Sequence, residues 1–235
     1  MNSNNNFIPY YLRSKLSEFG INNKQQLLKH DYWLVFQWLK DKFPSISFNY
    51  LFDLFCIYNA IEFSNLTVQD KVKIKHEYKR QTPHYAPLKS ESIDYYLDYA
   101  SNVAQQNGTD IPIGAVIVKD GQIIGCGTNN VITTNNITHH AEIIAINAAA
   151  QKISSHRLDN CDLYVTVEPC LMCAGAILQS RIKRLIFGAV EPKTGAISSQ
   201  YKVFTNNNVN KHTEIIGPIN TKYAQDLKNF LQRKR

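Results

Sequence analysis

No stretch of this sequence is both long and apolar enough to cross a membrane as a helix, which takes about 20 consecutive apolar residues. Its polar start, Met1-Asn-Ser-Asn-Asn-Asn6, has neither the basic nor the apolar region of a secretory signal. No internal repeat is visible, and Cys-x-x-Cys occurs once, at Cys170 and Cys173. The 5 cysteines, an odd number, fit a reducing compartment better than a disulfide framework. These absences argue against a helical membrane protein and a disulfide-stapled scaffold. The expectation is a cytoplasmic protein with no membrane partner.

What is present is a chain of 235 residues, long enough for one large domain or two small ones. Its 44% hydrophobic content is ordinary for a globular protein. The formal net charge is +7, and residues 1–89 hold 12 Lys and Arg against 7 Asp and Glu. A basic surface favours nucleic acid by releasing counterions from phosphate, although charge alone is an unspecific signal.

The most specific feature is a pair of segments, Thr138-His-His-Ala-Glu142 and Val165-Thr-Val-Glu-Pro-Cys-Leu-Met-Cys-Ala-Gly-Ala-Ile177. Leu163 to Val167 is β-branched and aromatic and reads as a buried strand. Pro169 suits the first turn of a following helix, with Cys170 and Cys173 at i and i+3 on one helix face. The positive end of that helix favours thiolate, the metal-binding form. Ala141 to Ala150 predicts a second helix, with His140 and Glu142 in its first turn and able to reach past its end toward one point. His140, Cys170 and Cys173 would then hold zinc and leave one coordination position open, as a catalytic zinc requires. Glu142 would remain free to carry protons. His139 is the weaker ligand, because choosing it would put Ala141 in the proton carrier's place.

A structural zinc would need a fourth ligand; no second Cys-x-x-Cys is present, and His139, Cys126 or Cys161 could serve only by a coincidence of folding. A redox Cys pair would leave the His-Ala-Glu segment without a purpose.

These motifs resemble the zinc nucleobase deaminases, whose signature is H-x-E followed by P-C-x-x-C. Ile111 to Val118 (IPIGAVIV), His140-Ala-Glu142 and Leu163 to Ser180 (LYVTVEPCLMCAGAILQS) are similar, more narrowly, to the bacterial tRNA-specific adenosine deaminases. So are Arg181-Ile182, Phe187-Gly188-Ala189 and Lys193-Thr194-Gly195. The resemblance spans residues 90–235. It implies conversion of adenosine to inosine at the wobble position of a tRNA anticodon, with one zinc per subunit activating water for attack on carbon 6. Glu142 would take the water proton, pass it to ring nitrogen 1 and help ammonia leave. The resemblance also implies that Asn129 hydrogen-bonds the purine, that Ile111 and Ile113 form apolar pocket wall, and that the protein is a homodimer. For Asn129 an ordinary loop residue is the plainer reading, and for the isoleucines strand core serves equally well. Glu168 reads as an anchor of the strand-to-helix turn. Val190-Glu191-Pro192 departs from the Arg-Asp-Ala of better-known members, with Glu191 keeping the charge of the aspartate.

The organisation agrees with an α/β class: a cytidine deaminase-like mixed sheet with helices on both faces, preceded by a small all-α domain. Periodicity predicts a helix over 91–106, strands over 111–119 and 122–127 joined by Asp120-Gly121, a helix over 140–153 and a strand over 162–167. A helix over 170–180, strands over 184–189 and about 213–217, and a helix from about 222 follow. The expected division is a helical extension with its linker over 1–88 and a zinc-dependent deaminase domain over 89–235.

In the extension Leu12, Leu16 and Phe19 have helical spacing ended by Gly20. Helices are expected at about 31–41 and 47–62, on either side of Phe43-Pro44. Lys71 to Arg80 is a polar, basic stretch, and Gln81 to Pro87 reads as the linker. Leu16-x-x-Phe19-Gly20-Ile21 and Phe48-Asn-Tyr-Leu51 loosely resemble the C-terminal helical domain of TfoX-type competence regulators. The extension either helps hold tRNA or is a packing module whose Trp33, Phe36, Trp38 and Phe52 are core. The basic C-terminal end, Leu231 to Arg235, is a further candidate for the tRNA backbone. For the whole chain, a deaminase of free cytosine, guanine or a nucleoside is the alternative within the same chemistry. A regulatory binding protein with a vestigial deaminase domain is the alternative outside it, and the intact His140, Glu142, Cys170 and Cys173 argue against it.

Overall fold

A computed structural model describes residues 8–81, 85–105, 108–205, 213–220 and 222–233. Met1–Asn6, the middle of the expected linker, and Lys234 and Arg235 of the basic end lie outside them. The chain divides into two compact units, Met1–Pro87 and Leu88–Arg235. No helix among the described residues is long and apolar enough to cross a membrane.

The first unit is helical. Helix α1 (Tyr10–Leu16) passes into a 3-10 turn that stops at Gly20, where φ is 72° and a side chain would be strained. Helices α2 (Lys24–Leu27), α3 (Tyr32–Lys42), α4 (Asn49–Asn59) and α5 (Val68–Arg80) follow. Leu12, Leu16, Val35, Phe36, Leu39, Leu51, Phe52 and Ile74 close its core. Trp38 is buried with them, and Trp33 is half-buried. The stretch expected only to be polar and basic is the body of α5. Its start lies at Thr67, which makes a capping box with Asp70.

The second unit is a mixed five-stranded sheet with strand order β2-β1-β3-β4-β5 and helices on both faces. Helix α6 (Ser90–Gln105) leads to strands β1 (Gly114–Lys119) and β2 (Gln122–Thr128). Both turn residues between the strands, Asp120 and Gly121, have positive φ, at 50° and 77°, as a tight hairpin demands. A one-turn helix α7 (Val131–Thr134) precedes α8 (Ala141–Lys152). Strand β3 (Cys161–Val167), helix α9 (Leu171–Ser180), strands β4 (Arg184–Ala189) and β5 (Glu214–Ile216), and helix α10 (Lys222–Arg233) complete the unit. Strand β1 runs antiparallel to β2 and β3, whereas β3, β4 and β5 are parallel.

Strand alternation sorts the core into two layers. Ala115, Ile117, Leu163, Val165, Leu185 and Phe187 point to one face, where Ala141, Ala145 and Ala149 of α8 and Ala174 and Ile177 of α9 cover them. Val116, Val118, Tyr164 and Ile186 point to the other, under Leu97 and Ala100 of α6 and Tyr223 of α10. The small side chains of α8 let it lie close to the sheet, and glycines in β2 let it lie closer still. A Cβ on Gly127 would stand 2.1 Å from the Ala141 carbonyl oxygen, and one on Gly125 would stand 2.5 Å from that of Ala145.

Candidate active site

Two helix starts meet at the C-terminal edge of the sheet's centre. His140 is the N-cap of α8, with φ −73° and ψ 153°, and Cys170 is the N-cap of α9, with φ −75° and ψ 175°. Both were expected inside a first helical turn, and both sit one step before it. Pro169, expected in that turn, also lies ahead of α9. The reason is a competing interaction: the Pro169 carbonyl accepts the Ala196 N–H at 2.9 Å, and Cys170 forms an isolated antiparallel bridge with Gly195. The extended backbone at Cys170 follows from that pairing, and only Cys173 stands in the helix proper.

The side chains of His140, Cys170 and Cys173 converge. Nδ1 of His140 lies 3.6 Å from the Cys170 sulfur and 3.5 Å from the Cys173 sulfur. Every pair of these donor atoms lies within 4.8 Å. For Zn–S of about 2.3 Å and Zn–N of about 2.0 Å, a tetrahedral S···N edge is about 3.6 Å. One imidazole and two sulfurs at that separation fit a zinc ion with a position to spare. Among the described residues this is the one cluster of metal-binding type. His139 is not in it: its Nδ1 lies 2.8 Å from the Thr134 hydroxyl. Cys126 and Cys161 lie on β2 and β3, and burial raises both thiols, Cys161 to about 11.

Between the sulfurs, Cys173 donates to Cys170. That hydrogen bond, with help from His140, pushes Cys170 down to about 4 and raises Cys173. Glu142, in the first turn of α8, is 4% exposed. Burial, reinforced by the Cys170 charge and opposed by a backbone hydrogen bond, pushes its carboxyl up to about 7.

A cleft of about 360 Å³ opens beside this cluster, lined by His140, Glu142 and Cys170. Asn129 lines it too, buried at 6% exposure, with its backbone N–H donating to the Ile113 carbonyl at 3.0 Å. Ile111 and Ile113 were expected within a strand running from 111. Strand β1 begins later, because the Ile113 N–H closes a tight turn onto the Ile111 carbonyl at 2.8 Å around Pro112. That turn leaves both isoleucines half-buried at the cleft wall.

Sequence reasoning missed Val131, Ile132 and Ile137 around α7 and Leu227 of α10 as lining, and reached Val167 and Thr194 only as parts of motifs. Asp110 holds the α7 rim. It is fully buried, and its carboxylate accepts from the Ile132 N–H at 2.7 Å and from Thr133. An acidic residue 22 positions before its partner carries no periodic signal that would mark it.

Glu168 anchors the opposite rim. Its carboxylate accepts backbone N–H groups of Glu191, Ile197, Ser198 and Ser199 at 2.7–3.1 Å. Burial works to raise this carboxyl, but the bonds from Ser199, Ser198 and Glu191 outweigh it, and the net displacement is downward. Gly195 makes room, since a Cβ there would stand 2.5 Å from the Glu168 carboxyl carbon. Glu191, at the departure from the Arg-Asp-Ala pattern, lines the cleft and accepts the Lys193 N–H at 3.0 Å.

The profile of the MafB19-like deaminase family matches residues 94–235. A tRNA-specific adenosine deaminase of Haemophilus influenzae is 45% identical over 154 residues, 64% of this chain and 89% of that protein. One from Buchnera aphidicola is 42% identical over 151 residues, 63% of this chain and 99% of its own. A structure solved in studies of A-to-I editing by tRNA:A34 deaminases at the wobble position of transfer RNA is also similar. It covers 52% of this chain and 96% of its own, with 38% identity and a TM-score of 0.51.

Proposed function

The chain belongs to the MafB19-like deaminase family and to the tRNA-specific adenosine deaminases, and from that membership we propose that it converts adenosine to inosine at the wobble position of tRNA. The observation that carries this reading is the 45% identity over 89% of the Haemophilus influenzae relative. The convergence of His140, Cys170, Cys173 and Glu142 on one cleft gives it a chemistry.

His140, Cys170 and Cys173 would hold zinc, which when bound supplies the Lewis acidity that makes water a nucleophile near neutral pH. The chain's own groups do the rest. Glu142 lines the cleft, where a carboxylate can take a proton and return it. It removes the water proton and delivers it to ring nitrogen 1. The carbon 6–oxygen bond forms, and as the exocyclic C–N bond breaks the proton of the new hydroxyl passes through Glu142 to the amine, which leaves as ammonia while the oxygen becomes the inosine carbonyl. Ile111, Ile113 and Val131 pack the ring and displace water, and the Asn129 amide offers the purine a hydrogen-bond partner. The base must leave its stack to enter so narrow a site.

The same reading includes a homodimer working on tRNA in the cytoplasm. Leu171 and Met172, 52% and 37% exposed beside Cys170, are an apolar pair that a second copy would cover. The test is incubation with an anticodon stem-loop carrying a wobble adenosine, with free adenosine, guanine and cytosine in parallel. Inosine in the stem-loop alone is expected; turnover of a free base or nucleoside with an untouched stem-loop would overturn the reading.

A further inference from the structure

The family match begins at residue 94, so it leaves the first unit without a role. Within that unit, helix α5 is basic, with Lys71, Lys73, Lys75, Lys79 and Arg80 against Asp70 and Glu77. Lys71, Lys75 and Lys79 recur at i, i+4 and i+8 and form one stripe, about 6 Å apart along the axis. Glu77 belongs to the other flank, one turn after Lys73; burial raises the Tyr32 phenol and the charge of Glu77 adds to it. Asp70 is occupied by its own cap, accepting the Thr67 N–H at 3.0 Å and the hydroxyl at 2.6 Å.

Aromatic rings support the stripe. The Lys71 ammonium lies 4.6 Å from the Phe63 ring centre, and that of Lys75 lies 5.0 Å from Phe48 and 5.5 Å from Phe52. Lys40 of α3 adds a charge 5.9 Å from Phe48, with its ammonium donating to the Ile46 carbonyl at 3.2 Å. On α4, Asp53 is engaged by the Tyr11 hydroxyl, which donates to it at 2.6 Å. Val68 and Val72, 79% and 62% exposed, fill the gaps between the lysines.

We propose that this flank of α5, with Lys71, Lys75 and Lys79, is a docking surface for the phosphate backbone of the tRNA that the second unit deaminates. The proposal rests on that functional reading for the identity of its RNA. Three like charges at helical neighbours repel one another, and a polyanion laid along them removes the repulsion. Ammonium groups act as point charges on phosphate, and the three lysines that define the stripe have no fork for pairing a base edge; exposed His76, one turn past Val72, lies beside the stripe rather than in it. It therefore positions RNA without reading sequence.

The test uses the full chain and a variant, Lys71→Gln/Lys75→Gln/Lys79→Gln, which keeps much of the stems over the rings while removing the charge. Affinity for a tRNA transcript is measured by fluorescence anisotropy across a salt series, with circular dichroism and Tm to confirm folding. The slope of log K against log salt is expected to shrink by about 2, because each phosphate that a lysine neutralises adds up to about 0.7–0.9 to it. At least a tenfold weaker affinity at low salt should accompany that change. The arginine counterpart, Lys71→Arg/Lys75→Arg/Lys79→Arg, should restore both, and kcat on an anticodon stem-loop should stay as in the unsubstituted chain. A folded glutamine variant with unchanged slope and affinity would overturn the inference. So would a loss confined to binding of phosphatidylserine vesicles, which would assign the stripe to an anionic membrane surface. If the unsubstituted chain binds tRNA through the stripe yet deaminates neither RNA, the functional reading fails and the docking surface stands.

Discussion

Asp110 grips Thr133 twice: its Oδ2 accepts the Thr133 N–H at 3.0 Å and the Thr133 hydroxyl at 2.7 Å. With the Ile132 N–H on Oδ1, one buried carboxylate satisfies the start of α7 and so fixes the cleft rim that carries Val131 and Ile132. Asp110→Ala should lower stability by about 1–3 kcal/mol, the cost of leaving such donors unpaired. It should also raise KM for the stem-loop more than it lowers kcat. Steady-state kinetics with a thermal melt checks this, and a loss of kcat at unchanged KM would contradict the assignment.

Glu142 and the ligands should separate cleanly. Glu142→Ala is expected to keep a full complement of zinc by elemental analysis while turnover falls roughly 10²–10⁴-fold. Cys170→Ser and Cys173→Ser should lose the metal, and a chelator should reproduce their loss of activity in the unsubstituted chain. Near-normal turnover in Glu142→Ala would remove it from the mechanism.

Arg184 is buried across the strand ends, with Nη1 3.0 Å from Asp162 and Nε 3.3 Å from Glu214. It ties β3, β4 and β5 together at their N-terminal ends, opposite the cleft. Arg184→Met strands two largely covered carboxylates and should cost about 3 kcal/mol. Denaturant unfolding of the variant measures this, and zinc content should be unchanged in the folded fraction.

Asp98 on α6 accepts from Lys222 and, at 2.8 Å, from the Tyr223 hydroxyl, tying α10 to the sheet's second face. The Lys222 hydrogen bond lowers its carboxyl below the ordinary 3.8. A carboxyl held lower in the folded state contributes stability above its unfolded value and loses it as pH falls through the folded one. Hydrogen exchange in α10 should therefore quicken below about pH 3.8, and only modestly, because the pair is half-exposed and screened by solvent. In Asp98→Asn that pH dependence should vanish.

Much of this was legible in the chain. His140, Glu142, Cys170 and Cys173 lie at fixed short spacings beside helix starts, and β-branched runs such as Leu163 to Val167 mark buried strands whatever surrounds them. The exact helix starts were not legible, because the Cys170–Gly195 bridge that holds Cys170 outside α9 joins residues far apart in sequence. The same holds for Ile111 and Ile113, whose turn around Pro112 replaces the expected strand. The rim escaped altogether. Ile132 and Ile137 look like ordinary loop residues until Asp110 is seen to hold their segment. In the first unit, a polar stretch hid a helix because its core face is narrow, with Ile74 its only buried side chain.

The glycines of β2 set how α8 responds to force. Where Gly127 and Gly125 meet α8, main chain rests on main chain with no rotamer between them to absorb a displacement. A push on the strand is thus transmitted to His140 and Glu142 together, as a single stiff body. Efforts to widen this enzyme's choice of base should therefore reshape Ile111, Ile113 and the α7 rim, where side chains can yield. Larger residues under α8 would move Glu142 and His140 in step and cost the placement of both at once.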